Sequence, residues 1–187
     1  MRHCTVNPIR WNKPDQGWFK LNSDGASQGN PRCAGGGGLI RDHDGKWVKG
    51  YMRNIGQATS VATEFWALRD RLMLAAQLGI NHLHVELDAQ VVVNLVLSKK
   101  VINNSCAALL NDCRYLLKQF QHVKVTHVFR EKNRCVDNLA RAGCSFFGNF
   151  VVLNAPPDDD FCNILNADTD GLYALRLSAR TSSFMAS

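Results

Sequence analysis

Alternating apolar and polar positions mark three strands in the first third of the chain. Residues 17–24 (GWFKLNSD) alternate with a period of two, which predicts a half-buried strand. A glycine-rich stretch follows at residues 34–42 (AGGGGLIRD), and a third apolar stretch runs from Trp47 to Tyr51 behind an Asp-Gly turn. Because short turns join consecutive strands, the pattern predicts a three-stranded antiparallel meander.

A helical period replaces this alternation after residue 59. Apolar residues recur at helical spacing from Val61 to Ala76, with Thr59 or Ser60 as the predicted N-cap and Gly79 as the predicted C-cap. The later segments are predicted as strand, helix, helix, strand and helix, at residues 82–88, 89–99, 107–120, 122–129 and 133–145. The first of these helices is helical by position, but its β-branched residues leave a strand open.

The element order β-β-β-α-β-α-α-β-α predicts an α/β fold. Right-handed crossover helices between the later strands imply that these strands are parallel. We therefore expect a five-stranded mixed sheet flanked by helices, with the meander followed by parallel strands. The predicted division is an N-terminal extension (1–15), a folded domain (16–148) and a short, acidic, weakly ordered tail (149–187), because NAPPDDD is typical of a linker.

Composition and charge narrow the class of protein. The 187 residues, 45% of them hydrophobic, suit one globular domain, and we expect neither a membrane span nor a secretory signal. Seven scattered cysteines without zinc spacing indicate a reducing, intracellular compartment, nucleus or cytoplasm, with an organelle left open. The net charge is +6, with −3 in residues 151–187 and +9 in residues 1–150. This balance predicts a polyanionic partner, by default nucleic acid.

Four acidic residues fall at equivalent places in the predicted fold. Asp24 ends the first strand, Asp88 ends the fourth, and Glu64 and Asp137 lie in the first turns of helices. Each has a local alternative: Asp24 as a residue of an Asp-Gly turn, Asp88 as an N-cap, and the other two as partners of a helix dipole. Since the carboxyl ends of parallel strands share one edge of a sheet, the four carboxylates can also meet in one pocket.

A cluster of carboxylates needs a cation, because neighbouring negative charges repel one another. Sites made only of carboxylate oxygens suit Mg²⁺ or Mn²⁺. Two such ions, ~3.5–4 Å apart, would support the hydrolysis of a phosphodiester. The sequence therefore predicts a two-ion site at this edge of the sheet.

Five stretches of the chain, in this order, resemble the ribonuclease H domain in its plant, retrotransposon-related branch. They are GWFKLNSDGAS, GGGGLIRDHDGKWVKG, ATEFWALRDRLMLAAQLGI, HVELDAQVVVNLV and HVFREKNRCVDNLARAG, and they lie within residues 17–147. The resemblance implies hydrolysis of the RNA strand of an RNA–DNA hybrid, leaving a 3′-hydroxyl and a 5′-phosphate. It also implies that the catalytic residues and metal ligands are Asp24, Glu64, Asp88 and Asp137.

The resemblance further implies where the nucleic acid lies. Small residues beside Asp24 would let the RNA strand approach closely, and polar side chains nearby would contact it. The predicted substrate-binding residues are Asn22, Gly25, Ala26, Ser27, Gln28 and Arg130, with Asn30 as a further candidate.

This sequence departs from the family in two places. The basic protrusion is reduced to Lys99 and Lys100, and the loop before the last helix, FREKN, holds no histidine. His127, in the preceding strand, is predicted to be structural. We expect a monomer, with help from another nucleic-acid-binding protein left open.

Other functions stay open beside the enzyme. One alternative is a catalytically weak or inactive nucleic-acid-binding module of retroelement origin, and another is a retroelement fragment without a retained role. A relative that cuts DNA, such as an integrase, is disfavoured by the spacing of the acids.

Overall fold

The computed structural model describes residues 4–27, 32–172 and 174–179. These residues form four consecutive strands, followed by helices interspersed with further strands. The strands are β1 (Cys4–Ile9), β2 (Phe19–Ser27), β3 (Arg32–Arg41), β4 (Trp47–Ala58), β5 (His82–Leu87), β6 (His122–His127), β7 (Phe150–Leu153) and β8 (Ala174–Ala179). The helices are α1 (Ser60–Gln77), α2 (Gln90–Leu97), α3 (Ala107–Leu117), α4 (Arg134–Ser145) and α5 (Asp159–Thr169), and a 3-10 turn covers Arg130–Lys132.

Six of the strands form one mixed sheet in the order β6-β5-β2-β3-β4-β7. β2, β3 and β4 are the predicted antiparallel meander, and β5 and β6 run parallel to β2. The predicted mixed α/β sheet is confirmed, with six strands in place of five. The additional strand is β7, which pairs with β4 and whose Phe150 ring stacks on Tyr51 at 5.2 Å between centroids.

The structure tests the predicted ends of α1 and the segment that the sequence left open between strand and helix. The side chain of Thr59 accepts a hydrogen bond from the Ala62 N–H, which confirms the predicted N-cap of α1. Gly79 follows the end of α1 with a φ of +68°, the left-handed conformation that a glycine adopts most easily. The segment left open between strand and helix is α2, with three valines buried.

Helices cover both faces of the sheet. α1, α2 and α3 pack on one face, in a core that includes Leu21 and Phe65. α4 and α5 cover the other face, where Leu39, Leu139 and Phe161 form a second core. Burial of each such side chain contributes about 1.5–3 kcal/mol.

The glycines of β3 let helices from both faces approach the backbone of the sheet. A Cβ on Gly35 or Gly37 would overlap the backbone of α4, and a Cβ on Gly38 would overlap the Arg71 side chain of α1. α1 and α4 are therefore separated here by little more than one layer of main chain.

The segments on either side of the predicted domain are parts of the fold. β1 pairs antiparallel with β8, β7 extends the main sheet, and α5 packs on the second core. The predicted weak order of the tail is therefore wrong for residues 150–172. The physical reason is a charge inside the fold: Arg41 is 1% exposed, and Asp168 of α5 accepts a hydrogen bond from it at 3.3 Å.

β2 was predicted to be half-buried, but its polar face is buried as well. Lys20 donates a hydrogen bond of 2.6 Å to Glu86 of β5, and both side chains are almost fully buried. Trp11, from the N-terminal extension, covers this face and lies 3.6 Å from the Arg41 guanidinium. Within the described residues, no helix is long and apolar enough to span a membrane.

Candidate active site

Asp24 lies inside β2 rather than at its end. The strand continues through Gly25 to Ser27, so the alternative of an Asp-Gly turn is wrong. A Cβ on Gly25 would lie 2.7 Å from the carbonyl carbon of Thr63, so only glycine lets α1 approach this closely. The glycine thus holds the beginning of α1 against the strand that carries Asp24.

Three acids from three elements converge at this edge of the sheet. Glu64 lies just after the first turn of α1 rather than in it, and Asp88 directly follows β5. One oxygen each from Asp24, Glu64 and Asp88 lies within 4.8 Å of the other two. The N-cap position of α2 belongs to Ala89, so the N-cap alternative for Asp88 is wrong.

Each of these three carboxylates keeps one buried oxygen without a hydrogen-bond partner among the described residues. The three atoms are Asp24 Oδ2, Glu64 Oε2 and Asp88 Oδ1. Buried carboxylate oxygens normally accept hydrogen bonds, so three such atoms in one place indicate a cation site. Hard oxygen donors fit the predicted Mg²⁺ or Mn²⁺.

Burial and mutual repulsion raise the pKa values of the three acids. The pKa of Asp24 rises to about 7, mainly because of burial and then because of the Asp88 and Asp137 charges. Burial, followed by the charges of Asp24 and Asp88, raises the pKa of Glu64 well above its usual value. Burial also raises the pKa of Asp88. A divalent cation favours the ionised carboxylates and would reverse these shifts.

Asp137 borders the three acids but has cationic partners of its own. It lies in the first turn of α4, as predicted. Its Oδ1 accepts a hydrogen bond of 2.6 Å from Arg130, and its Oδ2 lies 2.9 Å from an Arg141 nitrogen. The fourth acid is thus neutralised by the protein itself.

Two polar contacts position the elements that carry the acids. Asn133 stands at the predicted cap position of α4, but its side chain donates a 2.6 Å hydrogen bond to the Ser23 carbonyl instead of capping the helix. This bond ties α4 to β2. His127 Nε2 lies 3.1 Å from the carbonyl oxygen of Asp88, in keeping with its predicted structural role.

A cavity of about 450 Å³ opens beside the acids. Four of the predicted substrate-binding residues line it: Gly25, Ala26, Ser27 and Arg130. Asn22 does not, since it is 1% exposed, accepts a hydrogen bond from Trp11 and donates one to Glu86. The structure therefore makes Asn22 a residue of the interior, while Gln28 and Asn30 lie outside the described residues.

The cavity also has lining residues that the sequence analysis missed. Arg141 follows Asp137 by four residues on one helix, a spacing that predicts an ion pair. Ser60 and Cys144 also line the cavity, and neither had a local sequence signal that pointed there.

A family model described as reverse transcriptase-like matches residues 22–143, a range that holds all four acids. The chain belongs to this family. A protein of Arabidopsis thaliana with a provisional ribonuclease H name is 33% identical to this reverse transcriptase-like chain over 163 residues, which are 87% of the chain and 26% of the relative. The chain thus spans about a quarter of that relative's length.

Solved structures confirm that this reverse transcriptase-like chain has the ribonuclease H fold. RNase H1 from the archaeon Halobacterium salinarum is 30% identical with a TM-score of 0.65, over 68% of this chain and 98% of that one. The N-terminal RNase H domain of a bifunctional Mycobacterium tuberculosis protein is 26% identical with a TM-score of 0.65, over 68% of this chain and 94% of that one. The resemblance predicted from the sequence is confirmed.

Proposed function

We propose that the chain is a metal-dependent endoribonuclease that hydrolyses the RNA strand of RNA–DNA hybrids. One observation carries the proposal: Asp24, Glu64 and Asp88 bring oxygens within 4.8 Å of one another, and each keeps a buried oxygen without a described partner. The names of the archaeal and plant relatives, both ribonuclease H, support the same activity.

The three acids would hold the metal, and Asp137 at their border would complete the ligand set. Bound Mg²⁺ or Mn²⁺, two ions in the proposed form, would activate a water and stabilise the leaving oxygen of the phosphodiester. The chain itself fixes the separation of the carboxylates: β2 carries Asp24, and the close contact at Gly25 holds Glu64 beside it.

The cavity beside the acids suits the backbone of a nucleic acid. Gly25 and Ala26 leave room for a sugar to approach, and Arg130 supplies positive charge for a phosphate. The Ser27 hydroxyl is our candidate contact for the 2′-hydroxyl, the group that distinguishes RNA from DNA. The net positive charge of residues 1–150 favours the binding of a polyanion across the whole domain.

Cleavage of an end-labelled RNA–DNA hybrid in Mg²⁺ or Mn²⁺ tests the proposal. We expect RNA fragments with 3′-hydroxyl and 5′-phosphate ends, and no cleavage of a DNA duplex of the same sequence. Asp88→Asn should slow cleavage by about 100-fold or more and keep binding to the hybrid, since it removes a charge at the reacting phosphate. Asp15→Asn, a change at an exposed acid outside the site, is the matched control.

Two outcomes would count against the enzyme. If the intact chain cleaves in neither metal, or if Asp88→Asn cleaves as fast as the wild type, the proposal is wrong. Salt-sensitive binding of the hybrid without cleavage would instead support the nucleic-acid-binding module.

A further inference from the structure

The four acids divide into two kinds by the partners of their carboxylate oxygens. Asp24, Glu64 and Asp88 each keep an oxygen without a partner among the described residues. Asp137 has both oxygens occupied, Oδ1 by Arg130 at 2.6 Å and Oδ2 by Arg141 at 2.9 Å. A carboxylate that holds two guanidinium groups has little capacity left for a metal ion.

The two arginines are attached to the fold loosely enough to move. Their side chains are 65% and 64% exposed, whereas that of Asp137 is 15% exposed. Exposed ion pairs are weak because water screens them, so either arginine can leave Asp137 at small cost. Arg130 also lines a second cavity, of about 470 Å³, together with Asp137, Arg134 and Ile164, which leaves space beside its guanidinium group.

Both arginines line the same cavity as the three acids, where a nucleic-acid backbone would pass. A guanidinium group has five N–H donors, and each arginine uses a single nitrogen in its pair with Asp137. A phosphate, like a carboxylate, can accept bidentate hydrogen bonds from a guanidinium group, and Asp137 is shared between two of these groups. A phosphate that enters the cavity therefore competes with Asp137 for the arginines.

We propose that Arg130 and Arg141 form a phosphate-binding site that releases Asp137 when a backbone phosphate of the nucleic acid takes its place. The released carboxylate then becomes available as a ligand beside Asp24. This inference rests on the proposed function, because it assumes that a nucleic acid and a divalent cation occupy the cavity together. Through this exchange, the set of metal ligands becomes complete only when substrate is present.

The exchange couples the two ligands energetically. If phosphate binding frees a metal ligand, metal binding must favour phosphate binding by the same factor. Removing the arginines should therefore have opposite effects on the two affinities: the metal gains a free Asp137, and the nucleic acid loses two cations. A purely structural role for the ion pairs would not produce this opposition.

Binding measurements on the full chain test the exchange without relying on cleavage. We expect the double variant Arg130→Gln/Arg141→Gln to bind Mn²⁺ about five-fold or more tightly than the wild type in calorimetric titrations without nucleic acid. Its affinity for an RNA–DNA hybrid in EDTA should fall about five-fold or more, with a smaller dependence on salt. Thermal melts check that the double variant is folded, which we expect because both substituted positions are exposed.

Two controls separate the exchange from a general effect of charge. Arg134→Gln removes a cation from the same helix, but Arg134 pairs with Asp168 at 3.3 Å, so Mn²⁺ affinity should stay unchanged. In an Asp137→Asn background, loss of the two arginines should no longer raise Mn²⁺ affinity, whereas simple repulsion of the cation would still be relieved.

The outcomes distinguish this inference from the proposed function. If the wild type binds Mn²⁺ and cleaves the hybrid, but the double variant binds Mn²⁺ no more tightly, the exchange alone is wrong. An equal gain in the Asp137→Asn background, or unchanged hybrid affinity, overturns it as well. If the wild type binds no Mn²⁺ and cleaves nothing, the proposed function fails, and the exchange fails with it.

Discussion

Asp24 stands where the protein disfavours its charge. Its pKa rises from an ordinary 3.8 to about 7 through burial and the neighbouring carboxylates. Between these values the folded protein keeps a proton that the unfolded chain has released. The resulting stabilisation of the metal-free protein is complete below about pH 4 and is lost as the pH rises through about 7.

We predict that Asp24→Asn stabilises the metal-free protein by about 1–2 kcal/mol near pH 8 and by less near pH 5. Asparagine carries no charge at either pH, so the gain follows the ionisation of the wild-type carboxyl. Thermal melts in EDTA at both pH values measure the difference between the two proteins. His84, whose pKa burial lowers to about 4, affects both proteins alike and cancels in this difference.

The same variant separates the metal from the fold. Mg²⁺ should raise the Tm of the wild type and leave that of Asp24→Asn nearly unchanged, because a ligand has been lost. A gain in stability that is equal at both pH values would contradict the role of the Asp24 charge.

The sequence could locate the acids but not their surroundings. Placing an acid needs only the order of strands and helices, and the structure brings Asp24, Glu64 and Asp88 together although Asp24 lies inside β2. The charge of Asp24 depends on its burial, which was unexpected because β2 was predicted to be only half-buried. The Arg130–Asp137 pair spans a 3-10 turn whose geometry has no local sequence signal, whereas Arg141 was detectable from its helical spacing.

The glycine strand β3 sets how closely α4 approaches the sheet. A Cβ on Gly37 would overlap the backbone of Leu139 and Ala140, which cannot move without the whole helix. On Gly36 a Cβ would lie 3.5 Å from the Ala67 Cβ, an ordinary contact. Two neighbouring glycines therefore have opposite tolerance to the same change.

We predict that Gly37→Ala destabilises the protein by about 1–3 kcal/mol or more, and that Gly36→Ala changes stability far less. The alanine at position 37 must push α4, and with it Asp137, away from β2. Urea unfolding of both variants measures the contrast, and cleavage assays on the folded protein report any displacement of the site. Equal stability of the two variants would show that α4 adapts to the added methyl group.

Periodic elements were predicted well, and irregular ones less so. The meander, α1 and the parallel strands have clear periods of two or 3.6, and the structure confirms them. β7 has only four residues, too few for a period, and follows a loop that carried no strand signal. Strand length was also misjudged at Asp24, because the small residues after it are typical of a turn and yet continue β2.

α5 is joined to the domain by a buried ion pair as well as by its apolar side chains. Arg41 is 1% exposed, and Asp168 of α5, 3% exposed, is its carboxylate partner. Breaking a buried pair from one side leaves an uncompensated charge inside the protein. A pairing between residues this far apart in sequence follows from tertiary packing, which explains why the acidic tail was predicted to be weakly ordered.

We predict that Asp168→Ala lowers the free energy of unfolding by about 3–5 kcal/mol. Asp170→Ala, two residues along at an exposed position, is the control and should change stability by less than about 0.5 kcal/mol. Chemical denaturation measures both variants, and hydrogen exchange of α5 reports whether the helix detaches first. A small effect at position 168 would mean that the hydrogen bond that Arg41 already donates to Asn22, at 3.3 Å, is enough to hold the buried guanidinium group.

The glycines at 35, 37 and 38 also limit how this protein can evolve. Every single-base change in a glycine codon that alters the amino acid adds a Cβ or ends the chain, and at these positions a Cβ collides with a neighbouring element. The distance between Asp137 on α4 and the other three acids therefore cannot change through a series of small substitutions. A lineage either keeps these codons or loses the spacing in one mutation, so we expect them to diverge slowly while activity is under selection.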